Sequence, residues 1–286
     1  MGISANHNGA REIIRLALQE DLVWRDLTSS LSVPESAAGK AVLQAKAEGV
    51  VAGLDTFKEV FLAVDPSLKI TLLQDDGSRV KAGDIVATLQ GLLRSMLAGE
   101  RTALNFVCHL SGIATLTARY VTAVAGTGTV IVDTRKTMPG MRQLEKAAVS
   151  AGGGVNHRTD LADGILIKDN HIAAAKASGR SLFELVSHVK HSAPEGVPVQ
   201  VEVNGPFQAK EAVSAGADLL LIDNATPAQT AEIVAEFADL VRLESSGGIN
   251  LDNVRSYAET GVHRISVGAL THSASALDLS LEILPI

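Results

Sequence analysis

The residues most suggestive of chemistry are basic side chains that follow short apolar segments. They are Arg135, Lys136, His157, Arg158 and Lys168. Arg and Lys bind carboxylates and phosphates through charge-assisted hydrogen bonds, each contributing on the order of 1.5–3 kcal/mol. Cations brought to one place would repel one another unless an anion lay among them. Their spacing therefore predicts a site for a small molecule that carries several negative charges.

A second set of residues, farther along the chain, consists of carboxylates and glycines. Glu202 lies in an alternating apolar segment, and Asp223 directly follows another. Paired carboxylates suit Mg²⁺, although Asp223 could equally cap the helix that follows it. Gly247, after Ser246, and Gly268 would let backbone N–H groups approach a phosphate closely. These residue types indicate a ligand that combines phosphate groups with a metal ion.

Six short apolar segments precede or contain most of these residues. They cover 130–132, 165–167, 199–203, 219–222, 241–243 and 265–267. Each is followed by a helical pattern, and successive segments lie roughly 20 to 35 residues apart, the length of a βα repeat. In α/β barrels the chemistry lies at the carboxyl ends of the strands. We expect an incomplete or open α/β barrel with about six to seven strands.

The first part of the chain has a different pattern, typical of an N-terminal α+β sandwich domain. Apolar residues recur at helical spacing over 10–18, and alternation over 41–47 predicts a strand. Farther on, two helices with a break around Ser111-Gly112 are predicted where the domains join. The expected domains are residues 1–111 together with the C-terminal tail 273–286, and the barrel over residues 112–272.

Composition and charge narrow the class of partner. The chain has 32 Asp and Glu against 25 Lys and Arg, and its net charge of −7 is the wrong sign for binding a phosphate backbone. Aromatic residues, at 3%, leave little for base stacking, so we expect no nucleic-acid partner. The single cysteine, Cys108, excludes an intramolecular disulfide and suits a reducing compartment. No segment reaches membrane-spanning length, so we expect no membrane partner and a cytoplasmic location.

Three longer motifs in the barrel region carry a family resemblance. They are Asp133-Thr134-Arg135-Lys136-Thr137-Met138-Pro139-Gly140, Gly152-Gly153-Gly154-Val155-Asn156-His157-Arg158 and Leu166-Ile167-Lys168-Asp169-Asn170-His171. With these motifs the chain resembles the quinolinate phosphoribosyltransferase family. The resemblance extends over essentially the whole chain, with departures at Arg25, where relatives often have glycine, and at His263, where an acidic residue is common.

The resemblance implies a reaction and a place for its first substrate. Quinolinate and phosphoribosyl pyrophosphate would react with Mg²⁺ as cofactor, giving nicotinate mononucleotide, pyrophosphate and carbon dioxide in NAD biosynthesis. By resemblance, Arg135, His157 and Arg158 hold the two quinolinate carboxylates, with Thr134 beside them. These residues are therefore expected to bind substrate.

The resemblance also implies four catalytic residues, each of which contacts a substrate. Lys136 and Lys168 would lie where quinolinate and the phosphoribosyl ligand meet. Glu202 and Asp223 would bind the ribose and the Mg²⁺ ion. These are the expected metal ligands.

Further residues are implied at the phosphate and between subunits. The residues expected at the 5′-phosphate are Ser246, Gly247, Gly268 and His272. His272 could instead be a surface histidine. Arg101 would reach into the pocket of a neighbouring subunit, which implies a homodimer or a higher oligomer.

Three alternative functions stay open at this point. A related phosphoribosyltransferase could act on a monocarboxylate such as nicotinate, which would need fewer cations. An aldolase-like barrel could use Lys168 to form a Schiff base. A non-catalytic anion-binding paralogue would keep the cations but could lose Glu202 or Asp223, and both are present.

Overall fold

The fold is described by a computed structural model covering residues 7–285. The helices are α1 (His7–Glu20), α2 (Leu27–Ser32), α3 (Leu54–Val64), α4 (Leu93–Ala123), α5 (Arg142–Ala151), α6 (Asp169–Ala177), α7 (Leu182–Ser192), α8 (Pro206–Ser214), α9 (Pro227–Phe237), α10 (Val254–Ala258) and α11 (Ala269–His272). The strands are β1 (Ala38–Ala45), β2 (Gly49–Val50), β3 (Lys69–Leu72), β4 (Arg79–Val80), β5 (Ile85–Leu92), β6 (Val130–Val132), β7 (Ile165–Ile167), β8 (Val199–Val203), β9 (Leu219–Asp223), β10 (Arg242–Ser246), β11 (Arg264–Ser266) and β12 (Leu279–Pro285). A short 3-10 helix, Val23–Arg25, lies between α1 and α2.

These elements form two compact units. The first unit comprises residues 7–118, 136–153 and 270–285, and the second comprises residues 119–135 and 154–269. The chain passes between the units several times. Helix α4 therefore contributes residues to both, and the segment that follows β6 begins in the second unit and continues into the first.

The first unit is built on a four-stranded antiparallel sheet with the order β12-β1-β5-β3. Alternation along β1 buries Ala41, Leu43 and Ala45, as the period-two pattern predicts. Helix α3 adds Phe57 and Phe61 to the same core, with their ring centroids 5.1 Å apart in an edge-to-face arrangement. Because β12 pairs with β1, the N-terminal and C-terminal parts of the chain share this core.

Helix α4 is continuous over 31 residues, so the break predicted at Ser111-Gly112 is wrong. Gly112 stays helical, and a Cβ at this position would collide with the carbonyl oxygen of Ser275. The hydroxyl of Ser111 accepts a hydrogen bond from the Ala52 amide at 3.0 Å. Glycine here permits the close approach of another backbone and does not end the helix.

The second unit contains a six-stranded parallel sheet with the order β6-β11-β10-β9-β8-β7. At the free edge of β6, Val155 forms a further parallel bridge with Val132. No strand pairing within residues 7–285 joins this edge to β7. The prediction of an incomplete α/β barrel with six to seven strands is therefore confirmed.

Apolar and polar residues alternate between the two faces of β8, so that Gln200 and Glu202 share the face opposite its valines. Val199, Val201 and Val203 of β8 are completely buried. Helix α9 begins at a capping box, in which the Thr226 hydroxyl accepts from the Gln229 amide. No helix among the described residues is long and apolar enough to cross a membrane.

Candidate active site

The predicted site residues of the second unit lie where the parallel strands end. The placements are Thr134 and Arg135 after β6, His157 and Arg158 after the Val132–Val155 bridge, Lys168 after β7, Glu202 within β8, Asp223 at the end of β9, Ser246 at the end of β10, Gly247 after it, and Gly268 shortly after β11. Because the carboxyl ends of parallel strands lie at one edge of the sheet, these residues follow that edge. The other predicted residues, Arg101, Lys136 and His272, belong to the first unit.

A buried carboxylate holds the His157 segment against the end of β6. Asp133, which is fully buried, accepts a hydrogen bond from the backbone N–H of His157 at 2.7 Å. The backbone N–H of Asp133 donates to the Val155 carbonyl at 3.2 Å. These two bonds fix the backbone that carries His157 and Arg158.

His157 contacts a second buried carboxylate, that of Glu244 in β10. Glu244 Oε2 lies 3.4 Å from His157 Nε2, 2.5 Å from Arg264 Nε and 2.9 Å from Nε2 of Gln200. Burial opposes ionisation of this carboxyl. Hydrogen bonding from His157, the charges of Arg264 and His157, and hydrogen bonding from Gln200 outweigh burial and lower the pKa of Glu244 to about 2. Glu244 is therefore an anion at neutral pH.

The ring of His157 contacts neighbouring groups through both of its nitrogens. Nδ1 accepts a hydrogen bond from the backbone N–H of Arg158 at 2.8 Å, and Nε2 faces the carboxylate of Glu244. The ring therefore connects the Arg158 backbone to a buried carboxylate. The cationic role expected of His157 stays a prediction.

Arg135 and Arg158 are close enough to repel each other. Burial lowers the pKa of Arg158 and the charge of Arg135 lowers it further, while Asp163 and Asp160 act in the opposite direction. Nη1 of Arg158 donates to the Gly164 carbonyl at 3.1 Å, which limits the movement of the guanidinium. Two guanidinium groups held near each other, one of them partly desolvated, form a receptor for a ligand with more than one negative charge.

Glu202 and Asp223 form an acidic group on neighbouring strands. Burial raises the pKa of Glu202, and the negative charges of Asp223 and Asp169 raise it further, while the charge of Lys168 lowers it. No three His, Cys, Asp or Glu side chains among residues 7–285 form a metal-binding group. Mg²⁺ commonly takes one or two protein carboxylates and completes its coordination with water and substrate phosphates. The two repelling carboxylates therefore fit Mg²⁺.

The turn after β10 is tied to the end of β9. Asn224 has a φ of 53°, its backbone N–H donates to the Ser246 carbonyl at 2.9 Å, and its side-chain amide donates to Asp223 at 2.5 Å. Gly247 has a φ of 91°, and a Cβ there would collide with the side chain of Asn224. The backbone conformation therefore requires glycine. Since Thr226 caps α9, the helix-cap alternative for Asp223 is wrong.

The site residues of the first unit lie on two segments. The Lys136 carbonyl accepts a hydrogen bond from the Thr271 hydroxyl at 2.7 Å, which ties the Lys136 segment to α11. His272, at the end of α11, is exposed, and its Nδ1 lies 2.6 Å from the Ser273 hydroxyl oxygen. Arg101 is exposed on α4.

Sequence patterns alone predict no role for the buried groups that hold the site. Asp133 opens the motif that contains Thr134 and Arg135, and Glu244 opens the segment that leads to Ser246. A charged residue within an apolar strand needs a buried partner, and this signal could have identified Glu244. Its partners Gln200 and Arg264 lie on other strands and become evident only from the fold.

Comparisons with known proteins bear on both parts of the chain. Family models described as the N-terminal and C-terminal domains of quinolinate phosphoribosyl transferase match residues 26–111 and 113–282. The chain belongs to the quinolinate phosphoribosyltransferase family. Two members are the carboxylating nicotinate-nucleotide pyrophosphorylase of Mycobacterium leprae, 42% identical over 96% of this chain and 98% of that protein, and a probable enzyme of the same name from Bacillus subtilis, 40% identical over 97% and 94%.

A solved structure agrees with the family assignment. The nicotinate-nucleotide pyrophosphorylase from Francisella tularensis superposes on this chain with a TM-score of 0.89 at 37% identity, covering 97% of this chain and 96% of that one. Membership of the quinolinate phosphoribosyltransferase family thus holds over nearly the full length of the chain, in sequence and in fold.

Proposed function

We propose that this chain transfers the phosphoribosyl group of phosphoribosyl pyrophosphate to quinolinate with loss of carbon dioxide, giving nicotinate mononucleotide and pyrophosphate in NAD biosynthesis. The observation that carries the proposal is the pairing of two receptors in one unit. Arg135 and Arg158 form a receptor for negative charge, and Glu202 and Asp223 form an acidic group suited to Mg²⁺. A dicarboxylate and a magnesium-bound pyrophosphate ester require this combination.

The quinolinate carboxylates fit the guanidinium groups of Arg135 and Arg158, with Thr134 beside them. His157 accepts a hydrogen bond from the backbone N–H of Arg158 and thereby orients the receptor. A monocarboxylate such as nicotinate would neutralise only part of the repulsion between the two guanidinium groups. The structure of the receptor therefore favours quinolinate over nicotinate.

The phosphoribosyl donor fits the carboxylates and the glycine turns. Glu202 and Asp223 would hold Mg²⁺ and the ribose hydroxyls, while Ser246, Gly247 and Gly268, with His272, would bind the 5′-phosphate. Mg²⁺, when bound, would neutralise charge on the pyrophosphate. By family resemblance, Lys136 and Lys168 would supply positive charge where quinolinate and the phosphoribosyl donor meet.

The chemistry is a displacement followed by a decarboxylation. The quinolinate ring nitrogen forms a bond to the anomeric carbon as the bond from that carbon to the pyrophosphate oxygen breaks. The product is a pyridinium, and when the adjacent carboxylate departs as carbon dioxide its positive nitrogen stabilises the electron pair left on the neighbouring ring carbon. A proton from solvent then takes the vacated ring position. The main role of the protein is to position the substrates and stabilise charge, with no essential general base.

The proposal also includes a subunit arrangement and a compartment. Arg101 is exposed on α4. In a homodimer it would complete the pocket of the second copy. The proposed compartment is the cytoplasm. A chain with a single cysteine cannot form an internal disulfide, which suits a reducing compartment.

A direct assay tests the reaction. Purified protein with phosphoribosyl pyrophosphate and Mg²⁺ should release labelled carbon dioxide from quinolinate that carries the label in its 2-carboxylate, in step with nicotinate mononucleotide. Nicotinate in its place should give little or no product. Arg135→Ala should raise the KM for quinolinate about 10- to 100-fold, while the exposed control Arg180→Ala leaves it unchanged. Preferred turnover of nicotinate, or retention of the label in the product, would refute the proposal.

A further inference from the structure

A buried carboxylate in the first unit has no place in the proposed chemistry, yet it binds the segment that carries Lys136. Glu145 lies in the first turn of α5 and is fully buried. Its Oε2 accepts a hydrogen bond from the backbone N–H of Met138 at 3.2 Å. Its Oε1 lies 2.9 Å from Nε2 of His109, a partly exposed residue in the middle of α4.

The two oxygens of Glu145 contact different groups. As a carboxylate, Glu145 accepts hydrogen bonds at both oxygens. Each oxygen of Glu145 is then matched to one donor, the Met138 amide or the His109 imidazole. A carboxylate can accept one hydrogen bond at each of its two oxygens. A side-chain amide has one oxygen and presents N–H groups in place of the other. This pairing explains why a buried acid stands at position 145.

The backbone on either side of Lys136 is fixed by separate contacts. The Thr271 hydroxyl donates to the Lys136 carbonyl at 2.7 Å, and Nε of Arg142 donates to the Thr137 hydroxyl at 3.0 Å. The Met138 amide is fixed by Glu145. Lys136 itself is exposed.

We propose that Glu145, oriented by His109, is a positioning residue for Lys136. It fixes the Met138 amide and thereby the direction in which the Lys136 side chain leaves the backbone. This inference rests on the proposed function, because it matters for catalysis only if Lys136 stabilises charge during phosphoribosyl transfer. An ammonium displaced by about 1 Å from a developing charge can lose on the order of a hundredfold in rate.

A purely structural role for Glu145 makes a different prediction. Glu145 also lies at the N-terminus of α5, where a carboxylate favours the helix, so its removal should lower stability in either case. Positioning requires in addition that the effect on kcat pass through Lys136. A double-mutant cycle between positions 145 and 136 separates the two roles.

The kinetic experiment uses the full-length protein. Glu145→Gln should lower kcat about 10- to 100-fold with the KM of both substrates nearly unchanged, because the amide presents N–H to one of the two donors. In a Lys136→Ala background, Glu145→Gln should have little further effect on kcat. The control Glu59→Gln, at a partly exposed residue paired with Arg11, should leave kcat unchanged. An equal fold-loss in both backgrounds would show a structural role and overturn the proposal.

The His109 variants and hydrogen exchange supply independent readouts. His109→Leu removes the donor and should lower kcat, whereas His109→Gln keeps an N–H donor and should restore most of it. Amide hydrogen exchange over residues 136–141 should be faster in Glu145→Gln than in the wild type, whatever substrate the enzyme uses. Unchanged exchange would overturn the positioning role, while faster exchange in an enzyme that does not turn over quinolinate would overturn the proposed function alone.

Discussion

The imidazole of His157 lies 3.4 Å, measured at Nε2, from the completely buried carboxylate of Glu244. Because Arg264 pairs with the same carboxylate oxygen, the negative charge is compensated inside the second unit and does not extend to the substrate receptor. Glu244 thus orients a ring at the site without cancelling the charge of Arg135 or Arg158. The pair connects the core of the sheet to the binding residues.

Glu244→Gln should destabilise the protein by about 3 kcal/mol at neutral pH, because it leaves the partly buried guanidinium of Arg264 without its counter-charge. Urea unfolding at pH 7 measures the change. Glu236→Gln, on the exposed face of α9, is the matched control and should lie within about 0.5 kcal/mol of the wild type.

The stability difference between the wild type and Glu244→Gln should depend on pH. The pKa of Glu244 in the folded protein, about 2, is below its ordinary value of 4.5. The ionised carboxylate therefore stabilises the fold fully above about pH 5, and this contribution is lost as the pH falls towards 2. The difference in unfolding free energy between wild type and Glu244→Gln should narrow over that range. A difference that stays constant down to pH 3 would contradict the assignment.

The contrast between what the sequence predicts and what it leaves open has a physical cause. Local periodicity shows where each strand ends, and parallel strands end at one edge of a sheet. The positions of Arg135, Lys168 and Asp223 at strand ends could therefore be predicted from the sequence. The Gln200–Glu244 contact joins β8 to β10, which are separated by β9, and no local pattern encodes it. The helix break predicted near Gly112 fails for the same reason, since the packing partner of that glycine is distant in sequence.

The glycine turn offers a matched pair of substitutions. Gly247 and Gly248 both have positive φ, but a Cβ collides with Asn224 only at position 247, and nothing lies within 4 Å of one at 248. Gly248→Ala should cost about 1–2 kcal/mol of strain and leave the KM for phosphoribosyl pyrophosphate nearly unchanged. Gly247→Ala should destabilise further and raise that KM about 10-fold or more, because Asn224 and Ser246 move. Equal KM values for the two variants would argue against a phosphate role for this turn.

Replacing the carboxylate of Glu202 should raise the stability of the protein and lower its activity. Burial and the neighbouring charges of Asp223 and Asp169 disfavour its ionised form in the unliganded protein. Glu202→Gln should therefore raise the melting temperature of the metal-free protein slightly, by the equivalent of about 0.5 kcal/mol, while weakening Mg²⁺-dependent turnover at least 10-fold. Differential scanning calorimetry and Mg²⁺ titrations of activity measure the two effects, with the exposed Glu232→Gln as control. A lower melting temperature would contradict the repulsion argument.

Subunit mixing tests whether Arg101 completes the site of a neighbouring copy. One variant carries Arg101→Ala and the other Lys168→Ala, and each alone should be nearly inactive. After the two are unfolded and refolded together, half of the dimers should be mixed, and each mixed dimer should contain one site with both residues intact. Turnover should then recover to about one quarter of the wild-type value. If Arg101 served its own chain, every site would lack one residue and mixing would restore nothing, so the recovered fraction alone decides between a shared pocket and a self-contained one.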